Sequence, residues 1–190
     1  MIPAHTVQFW QYFDLVVIVT VSLVVAWLMA THRKKKGELL PSISQTIAAD
    51  KHASLLFAVM MTVCVPLYYS FLWFWVGPLV VAPWYFYLLL AVSFVSEMIF
   101  VWVPASSGRS KRVHELTAGF VGVVMLAAPL TLLFASQLSD SARLAILAFA
   151  GVSLAGGLLL LVPKYRKHTL ELEIAYCIVF WAVMSYTAHN

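Results

Sequence analysis

Six apolar segments separated by short loops constrain this chain more than any other feature. They cover residues 13–31, 53–76, 80–103, 115–135, 143–162 and 170–188. Each is about 20 residues long, and a helix of that length crosses a hydrocarbon core of about 30 Å. A helix also bonds all its backbone polar groups within one segment, as a lipid environment requires. The sequence therefore predicts an all-α, polytopic membrane protein, a bundle of six transmembrane helices.

Positive charge alternates between the loops. The first, third and fifth loops hold eleven of the 12 lysines and arginines, and only Arg143 lies on the opposite side. Short loops rich in lysine and arginine stay in the cytoplasm. The pattern predicts that these three loops are cytoplasmic and that both termini are outside. In a bacterium, the expected location is the plasma (inner) membrane.

The composition leaves little sequence for a soluble domain, because 63% of the residues are hydrophobic and only 11% are charged. Residues 1–190 are therefore predicted to form a single six-helix transmembrane domain. The basic loops would lie beside anionic lipid headgroups, so the positive net charge indicates membrane lipids as partners and no nucleic acid.

Two further patterns concern helix surfaces. Small residues at four-residue spacing in the fifth segment predict close helix packing within the bundle, with a homodimer through this helix as the alternative. They are Gly151, Ser153, Ala155 and Gly157. Aromatic residues near the outer ends of the helices predict an interfacial belt. They are Trp10, Tyr12, Trp73, Trp75, Trp84, Tyr85 and Tyr87.

Glu97 is the most informative single residue. It lies seven residues before Pro104, about 10 Å inside the predicted helix end. An unpaired carboxylate is costly there. It is either a proton-accepting or cation-coordinating group in a polar cavity, or a neutral or snorkelling structural glutamate. Ser93 lies one turn earlier and is predicted to hydrogen-bond to it.

A histidine stands near the start of each even-numbered helix, beside basic residues. The N-terminus of a helix presents unpaired N–H groups and the positive end of its dipole. Three such ends on one membrane face predict a cytoplasmic-side polar cavity that binds an anionic headgroup or an ion. The residues expected to line it are Lys51, His52, Arg112, His114, Lys167 and His168.

Metal and cofactor chemistry is not expected. The three histidines and neighbouring carboxylates have ligand chemistry that suits zinc, but no two histidines share a helix at ligand spacing, so we predict no metal. The sequence contains no P-loop, dinucleotide-binding or nucleophile-elbow pattern. Lysines occur only at the helix ends, which argues against a retinal Schiff base. We therefore predict no cofactor.

Residues 40–46 read Leu-Pro-Ser-Ile-Ser-Gln-Thr, with Phe57 sixteen residues after the proline. They resemble the Pro-x-Ile-Ser-Asp-Thr-Gly signature of the six-helix superfamily that includes the damage-regulated autophagy modulators, the FGF-receptor-activating protein and the GPI-anchor remodelling factor. The start of the fourth helix at Val113 and His114 is also similar. So is a glutamate early in the sixth helix, Glu171 or Glu173.

The chain departs from that family in two respects. Gln45 and Ile47 stand where the signature has Asp and Gly. The family's signature loop is thought to face the lumen or the exterior, whereas the charges here predict a cytoplasmic loop. The resemblance implies a lipid-facing membrane protein that acts on or moves phospholipids or GPI-like lipids. The residues that match the pattern are Pro41, Ile43, Ser44, Thr46 and His114.

Four functions follow as competing hypotheses. The first is a protein that binds or handles lipid headgroups in the cytoplasmic-side cavity, with Ser44 added to its lining. The second is a small proton-linked transporter or channel that uses Glu97. The third is an intramembrane hydrolase or acyltransferase, with His114 and Glu115 as the acid/base pair and Ser44 or a water molecule as the nucleophile. The fourth is a structural subunit of a larger complex. The sequence leaves open whether the protein is an enzyme.

Overall fold

The computed structural model describes residues 4–40, 42–103 and 108–189, with their side chains except those of residues 4–8, 11, 108, 166 and 167. This part of the chain is helical and contains no strand. The α-helices are α1 (Ala4–Lys36), α2 (Ile43–Ala48), α3 (Lys51–Phe71), α4 (Gly77–Val80), α5 (Trp84–Trp102), α6 (Gly108–Leu132), α7 (Asp140–Leu161) and α8 (Thr169–His189). A π-helical turn, Leu72–Val76, joins α3 to α4, and a 3₁₀ segment, Pro163–His168, precedes α8.

Six stretches of helix are long and apolar enough to cross a membrane. They are Tyr12–Lys36, Lys51–Val80, Trp84–Trp102, Arg109–Leu132, Asp140–Leu161 and Thr169–His189. This confirms the predicted all-α class and the number of spans, and it indicates an integral, multi-pass membrane protein.

The predicted boundary between the second and third spans is wrong. The sequence analysis ended the second helix at Val76, but the structure continues it to Val80 and begins the next helix at Trp84. The helix passes Gly77 and Pro78 because the π turn widens it: the Gly77 N–H donates to the Leu72 carbonyl, five residues earlier. The chain then turns at Val81, which adopts a left-handed conformation with φ 54°.

The helices pack in an order that closes the bundle. α1 contacts α3 and α8, α3 contacts α5, and α5, α6, α7 and α8 contact each other in sequence. Large apolar side chains fill the centre between them. Those that are almost completely buried include Phe71, Phe86, Leu132, Ile146, Phe149 and Met184.

One member of the predicted aromatic belt belongs to this core. The Trp75 side chain is buried and stacks on Trp10, with 6.4 Å between the ring centroids. Trp84 and Tyr12 are exposed, as the belt predicts. The difference arises at the π turn, where Trp75 faces the interior of the bundle and Trp73 and Phe74 are exposed on its surface.

The small residues of α7 do not pack inside the bundle as expected. A Cβ atom added to Gly151 or Gly157 would meet nothing within 4 Å in the described part of the chain, and both positions are exposed. This helix face points away from the neighbouring helices. A homodimer through it stays a prediction.

Candidate functional site

Glu97 lies on α5, five residues before the last residue of that helix, Trp102. The indole N–H of Trp102 donates to the Thr62 hydroxyl of α3 at 3.0 Å. Since Thr62 is eleven residues into α3, that helix extends about 16 Å beyond the end of α5. The end of α5 therefore lies beside the middle of α3, and Glu97 faces the residues of α3 one to two turns further on.

Tyr69 of α3 is the partner of Glu97. Its hydroxyl lies 3.0 Å from Oε2 of Glu97 and 2.6 Å from Oγ of Ser93. The predicted direct bond between Ser93 and Glu97 is replaced by this bridge, because the tyrosine hydroxyl enters between two residues that share one face of α5. A fully buried Ser93 and a carboxylate are thereby joined through one phenol.

The three groups form a hydrogen-bond chain that can run in either direction. A phenol has a single proton, so Tyr69 donates to only one of its two neighbours at a time. When Glu97 is ionised, Tyr69 donates to it and accepts from Ser93. When Glu97 is protonated, its O–H donates to Tyr69, which then donates to Ser93. Both protonation states of Glu97 therefore keep every hydrogen bond in the chain.

A cavity of about 40 Å³ lies beside this chain, inside the bundle. It is bounded by α1, α3, α5 and α8, and its lining includes Val17, Cys64, Tyr68, Tyr69, Glu97 and Trp181. A space of about 10–15 Å³ suffices for one water molecule if polar partners are present. The Glu97 carboxyl group therefore borders a space between four helices that is large enough for water.

A second cavity, of about 140 Å³, lies at the basic end of the molecule, between the end of α1 and the start of α3. Its polar lining is His32, Lys35, Asp50 and His52, and its walls include Trp27 and Leu28. The Lys35 ammonium group contacts the Asp50 carboxylate at 3.2 Å.

Asp50 also organises the start of α3. Its Oδ1 accepts the backbone N–H groups of Ala53 and His52, which caps the helix. The Ala53 N–H, followed by Lys35 and the His52 N–H, holds the pKa of this carboxyl group below its usual value. Asp50 therefore stays ionised, and it offsets the charge of Lys35 at the cavity wall.

The predicted basic-end residues lie at separate helix junctions. His52 lines the second cavity, and Lys51 is exposed next to it. Arg112 and Glu115 are exposed on α6, where Glu115 pairs with Lys111 at 3.7 Å. His168 is exposed and lies 3.8 Å from Glu171. The side chain of Lys167 is outside the described residues. Among the described side chains, no three of the His, Cys, Asp and Glu residues form a group that could hold a metal ion.

His114 differs from the other two histidines because it is buried. Its Nδ1 lies 2.5 Å from the Val103 carbonyl, and its ring packs on Phe100 at 4.4 Å between centroids. A carbonyl only accepts, so Nδ1 donates this hydrogen bond. Within the described residues Nε2 has no partner. This histidine holds the start of α6 against the end of α5.

The loop between the first two spans is tied to the sixth. Oε2 of Glu173, on α8, accepts the N–H of Ile43 at 3.0 Å, and Ser42 caps the same short helix. Thr46 is buried and bonds the backbone of Leu40, while the Ser44 hydroxyl lies 3.2 Å from that of Ser42. Pro41 and Pro104 are outside the described residues.

Asp14 is a polar group that the sequence analysis missed. α1 begins at Ala4, so Asp14 lies within the helix, and its side chain is 0% exposed. The hydroxyl of Ser185, on α8, donates to its Oδ2 at 2.6 Å. The available signal was a carboxylate at the edge of an apolar segment that could extend towards the N-terminus.

The chain matches no protein-family model, no curated protein and no solved structure. The resemblance of residues 40–46 to the six-helix superfamily stays a prediction. The functional argument is therefore built on the geometry of the two cavities and of the polar groups around them.

Proposed function

We propose that this protein is a small proton-linked transporter or channel in which Glu97 binds and releases the proton. The observation that carries the proposal is the Ser93–Tyr69–Glu97 chain, which fits both protonation states of the carboxyl group without losing a hydrogen bond. A glutamate that only stabilises the fold needs one such state. Ionisable residues inside membrane spans are costly, and they mark proton relays and ion pathways.

The position of the chain supports this function further. Glu97 borders a cavity that admits water, and the four helices around that cavity come from the first, second, third and sixth spans. Water in this space would connect the carboxyl group to other polar side chains. A change in the packing of any of these helices would alter the access of protons to Glu97.

The proposal is tested by proton flux into liposomes. Purified protein is reconstituted with an internal pH-sensitive dye, and a potassium gradient with valinomycin makes the interior negative. We expect wild-type liposomes to acidify and Glu97→Gln to slow acidification about 100-fold, because a general acid/base group contributes at least this much. Glu38→Gln is the matched control, since Glu38 is exposed in the first loop. Wild-type liposomes that acidify no faster than protein-free liposomes would exclude the function.

We also propose the orientation that the charges indicate, with the basic end in the cytoplasm and both termini outside. Single cysteines at Lys36 and Ser136, introduced after Cys64 and Cys177 are replaced by alanine, would report it in intact cells. Both positions are exposed and lie at opposite ends of the bundle. An impermeant thiol reagent should label Ser136→Cys and leave Lys36→Cys unlabelled. The reverse labelling would overturn the orientation.

A second candidate function is the binding of an anionic lipid headgroup at the basic end. The cavity between α1 and α3 favours it, because His32, Lys35 and His52 line a space beside the apolar side chains of Trp27 and Leu28. Basic groups next to a membrane span attract anionic lipids. The resemblance in the first loop supports the same candidate, since Ile43 and Glu173, from two of the similar places, are in contact.

Native mass spectrometry distinguishes this candidate. Protein in detergent is titrated with phosphatidylglycerol and with phosphatidylcholine, and bound lipid is counted. We expect a preference for phosphatidylglycerol that the double variant Lys35→Ala/His32→Ala loses and that Arg109→Ala, an exposed charge on α6, retains. Equal binding of the two lipids by wild type would rule the candidate out. The intramembrane hydrolase with His114 and Glu115 stays a prediction.

A further inference from the structure

A second carboxylate lies inside the bundle, in the first span. Asp14 is completely buried, and its Oδ2 accepts a hydrogen bond from Ser185 at 2.6 Å. Its other oxygen, Oδ1, has no hydrogen-bond partner among the described residues. No described lysine or arginine forms a salt bridge with it. Carboxyl groups inside membrane spans are rare, and they mark proton relays and ion pathways.

Two other buried side chains near Asp14 also lack partners. The Tyr68 hydroxyl and the Trp75 indole N–H, both on the second span, are buried and unpaired within the described residues. Trp75 stacks on Trp10, which precedes Asp14 by one helical turn on the same face of α1. Three orphaned polar atoms therefore occur in one region of a core that is otherwise apolar, where such atoms are rare.

Tyr68 connects this region to the site of Glu97. It lines the same cavity as Glu97, together with Val17 and Ile18 of α1, which lie one helical turn after Asp14. The other titratable groups that face the region are Tyr69 and Cys64 from α3 and Cys177 from α8. The cavity therefore connects Glu97 and Tyr68 with the part of α1 that follows Asp14.

The polar atoms around Asp14 are suited to bind a proton rather than a metal cation. A hard cation needs about six oxygen ligands, whereas Trp75 offers only an N–H donor, and Asp14 and Ser185 supply few oxygens. A protonated Asp14, in contrast, keeps the Ser185 bond on Oδ2 and carries its proton on Oδ1.

We infer that Asp14, with Ser185 and Tyr68, forms a second proton-binding site, and that protons pass between it and Glu97 through the Tyr68 hydroxyl. This inference rests on the proposed proton-linked function. In the transfer, the O–H bond of Glu97 breaks and a water molecule in the cavity delivers a proton to the phenol oxygen. The original phenol proton passes through a second water molecule to Oδ1 of Asp14, since the two groups are not in direct hydrogen-bond contact. Tyr68 is regenerated, Glu97 is left ionised, Asp14 is neutral, and no group is oxidised or reduced.

The liposome flux assay tests the inference with three variants. We expect Asp14→Asn to slow acidification about 100-fold, as Glu97→Gln does, because each removes a proton-binding group. Tyr68→Phe keeps the ring and removes only the hydroxyl, and it should slow flux about tenfold or more. Tyr12→Phe is the matched control, since Tyr12 is exposed two residues before Asp14.

The outcomes separate this inference from the proposed function. Flux that is lost in Glu97→Gln but retained in Asp14→Asn and Tyr68→Phe would overturn the second site and leave the function of Glu97 intact. Absence of flux in wild type would remove both. If Asp14→Asn fails to fold, Tyr68→Phe decides by itself.

An infrared measurement gives a readout that a structural role for Asp14 would not change. Difference spectra of the reconstituted wild type between low and high pH should contain carboxylic C=O bands from Asp14 and Glu97. Asp14→Asn should remove one band and Glu97→Gln the other, with the amide bands unaltered. If the spectrum of Asp14→Asn contains the same carboxylic bands as that of the wild type, the inference is overturned.

Discussion

Two regions of the bundle have similar residue types in different surroundings. One is the middle of the bundle, with the polar side chains of Asp14, Tyr69 and Glu97. The other is its basic end, with the charged groups at the helix starts. At the basic end, partners are near in sequence or exposed to water: His168 and Glu171 are three residues apart, as are Asp50 and Ala53. In the middle, Asp14 meets Ser185 across 171 positions. The groups of the middle depend on tertiary packing, and those of the end depend on local helix geometry.

The two regions therefore differ in the free energy that is lost when a polar group loses its partner. Exposed ion pairs contribute little, because water solvates either partner when the other is removed. A polar group in the apolar middle has no such replacement, and losing its partner costs its full desolvation free energy. Substitutions in the middle should therefore have larger effects than matched substitutions at the basic end.

The largest effect on proton flux beyond those of the two carboxylates is expected at Tyr69. Tyr69→Phe removes the hydroxyl that joins Ser93 to Glu97, so Glu97 loses its donor. We expect proton flux to fall about tenfold, equivalent to about 1.4 kcal/mol, which is close to the lower end of the range for a hydrogen bond to a charged group. The acidification rate measures it, with Tyr12→Phe as the control. An unaltered rate would mean that the hydrogen-bond chain is not part of the pathway.

The largest effect on stability is expected at Gly77, near the end of the second span. A Cβ atom at Gly77 would lie 2.5 Å from the Tyr87 hydroxyl and 2.8 Å from its ring. Gly77→Ala should therefore lower the free energy of unfolding by about 2 kcal/mol, as overpacking does. Gly157→Ala is the control, because a Cβ there meets nothing within 4 Å. Denaturant unfolding in detergent compares them, and equal stability of the two variants would contradict the close approach of Tyr87 to Gly77.

An intermediate effect is expected where the two regions meet. Glu173→Ala removes the acceptor of the Ile43 N–H and should lower the free energy of unfolding by about 1 kcal/mol. Glu171→Ala, two residues earlier on α8, removes only the exposed pair with His168 and should cost less than about 0.5 kcal/mol. Thermal unfolding of the two variants side by side measures this difference. A larger loss of stability in Glu171→Ala than in Glu173→Ala would contradict the expectation that buried partners contribute more than exposed ones.

Sequence patterns predicted the parts of the fold that depend on one segment at a time. The length and apolarity of each segment predicted six helices, and Glu97 stood out because it interrupts an apolar run. The end of the second span was missed because Gly77 and Pro78 normally indicate a turn. A π turn absorbs both residues here, and it forms against Tyr87, which a local pattern does not contain.

The candidate site could be predicted only in part. Glu97 was identified, but its partner Tyr69 lies on another helix and was not. Asp14 was not identified, since nothing near it in the sequence indicates that Ser185 bonds to it. The histidines at the helix starts were grouped by their similar positions, although each contacts a different neighbour. Helix packing brings distant residues together, and a single sequence does not encode that in a periodic pattern.

The smallest effect is expected at Asp50, on the surface of the basic end. Its pKa is lowered in the folded state by the Ala53 N–H, Lys35 and the His52 N–H, relative to a usual value of 3.8. The carboxylate therefore contributes stability that is fully present above about pH 3.8 and is lost as the pH falls through the lower folded pKa. Asp50→Asn keeps a good helix cap but has no charge.

The unfolding temperatures of wild type and Asp50→Asn should thus differ slightly at neutral pH and converge as the pH falls below about 3.8. Asp140→Asn, at an exposed carboxylate at the other end of the bundle, serves as the control. A difference for Asp50→Asn that does not change with pH would show that the cap, and not the charge, carries the contribution. Even complete loss of this charge leaves Lys35 in contact with water, whereas an altered Asp14 or Glu97 leaves its partners in an apolar core.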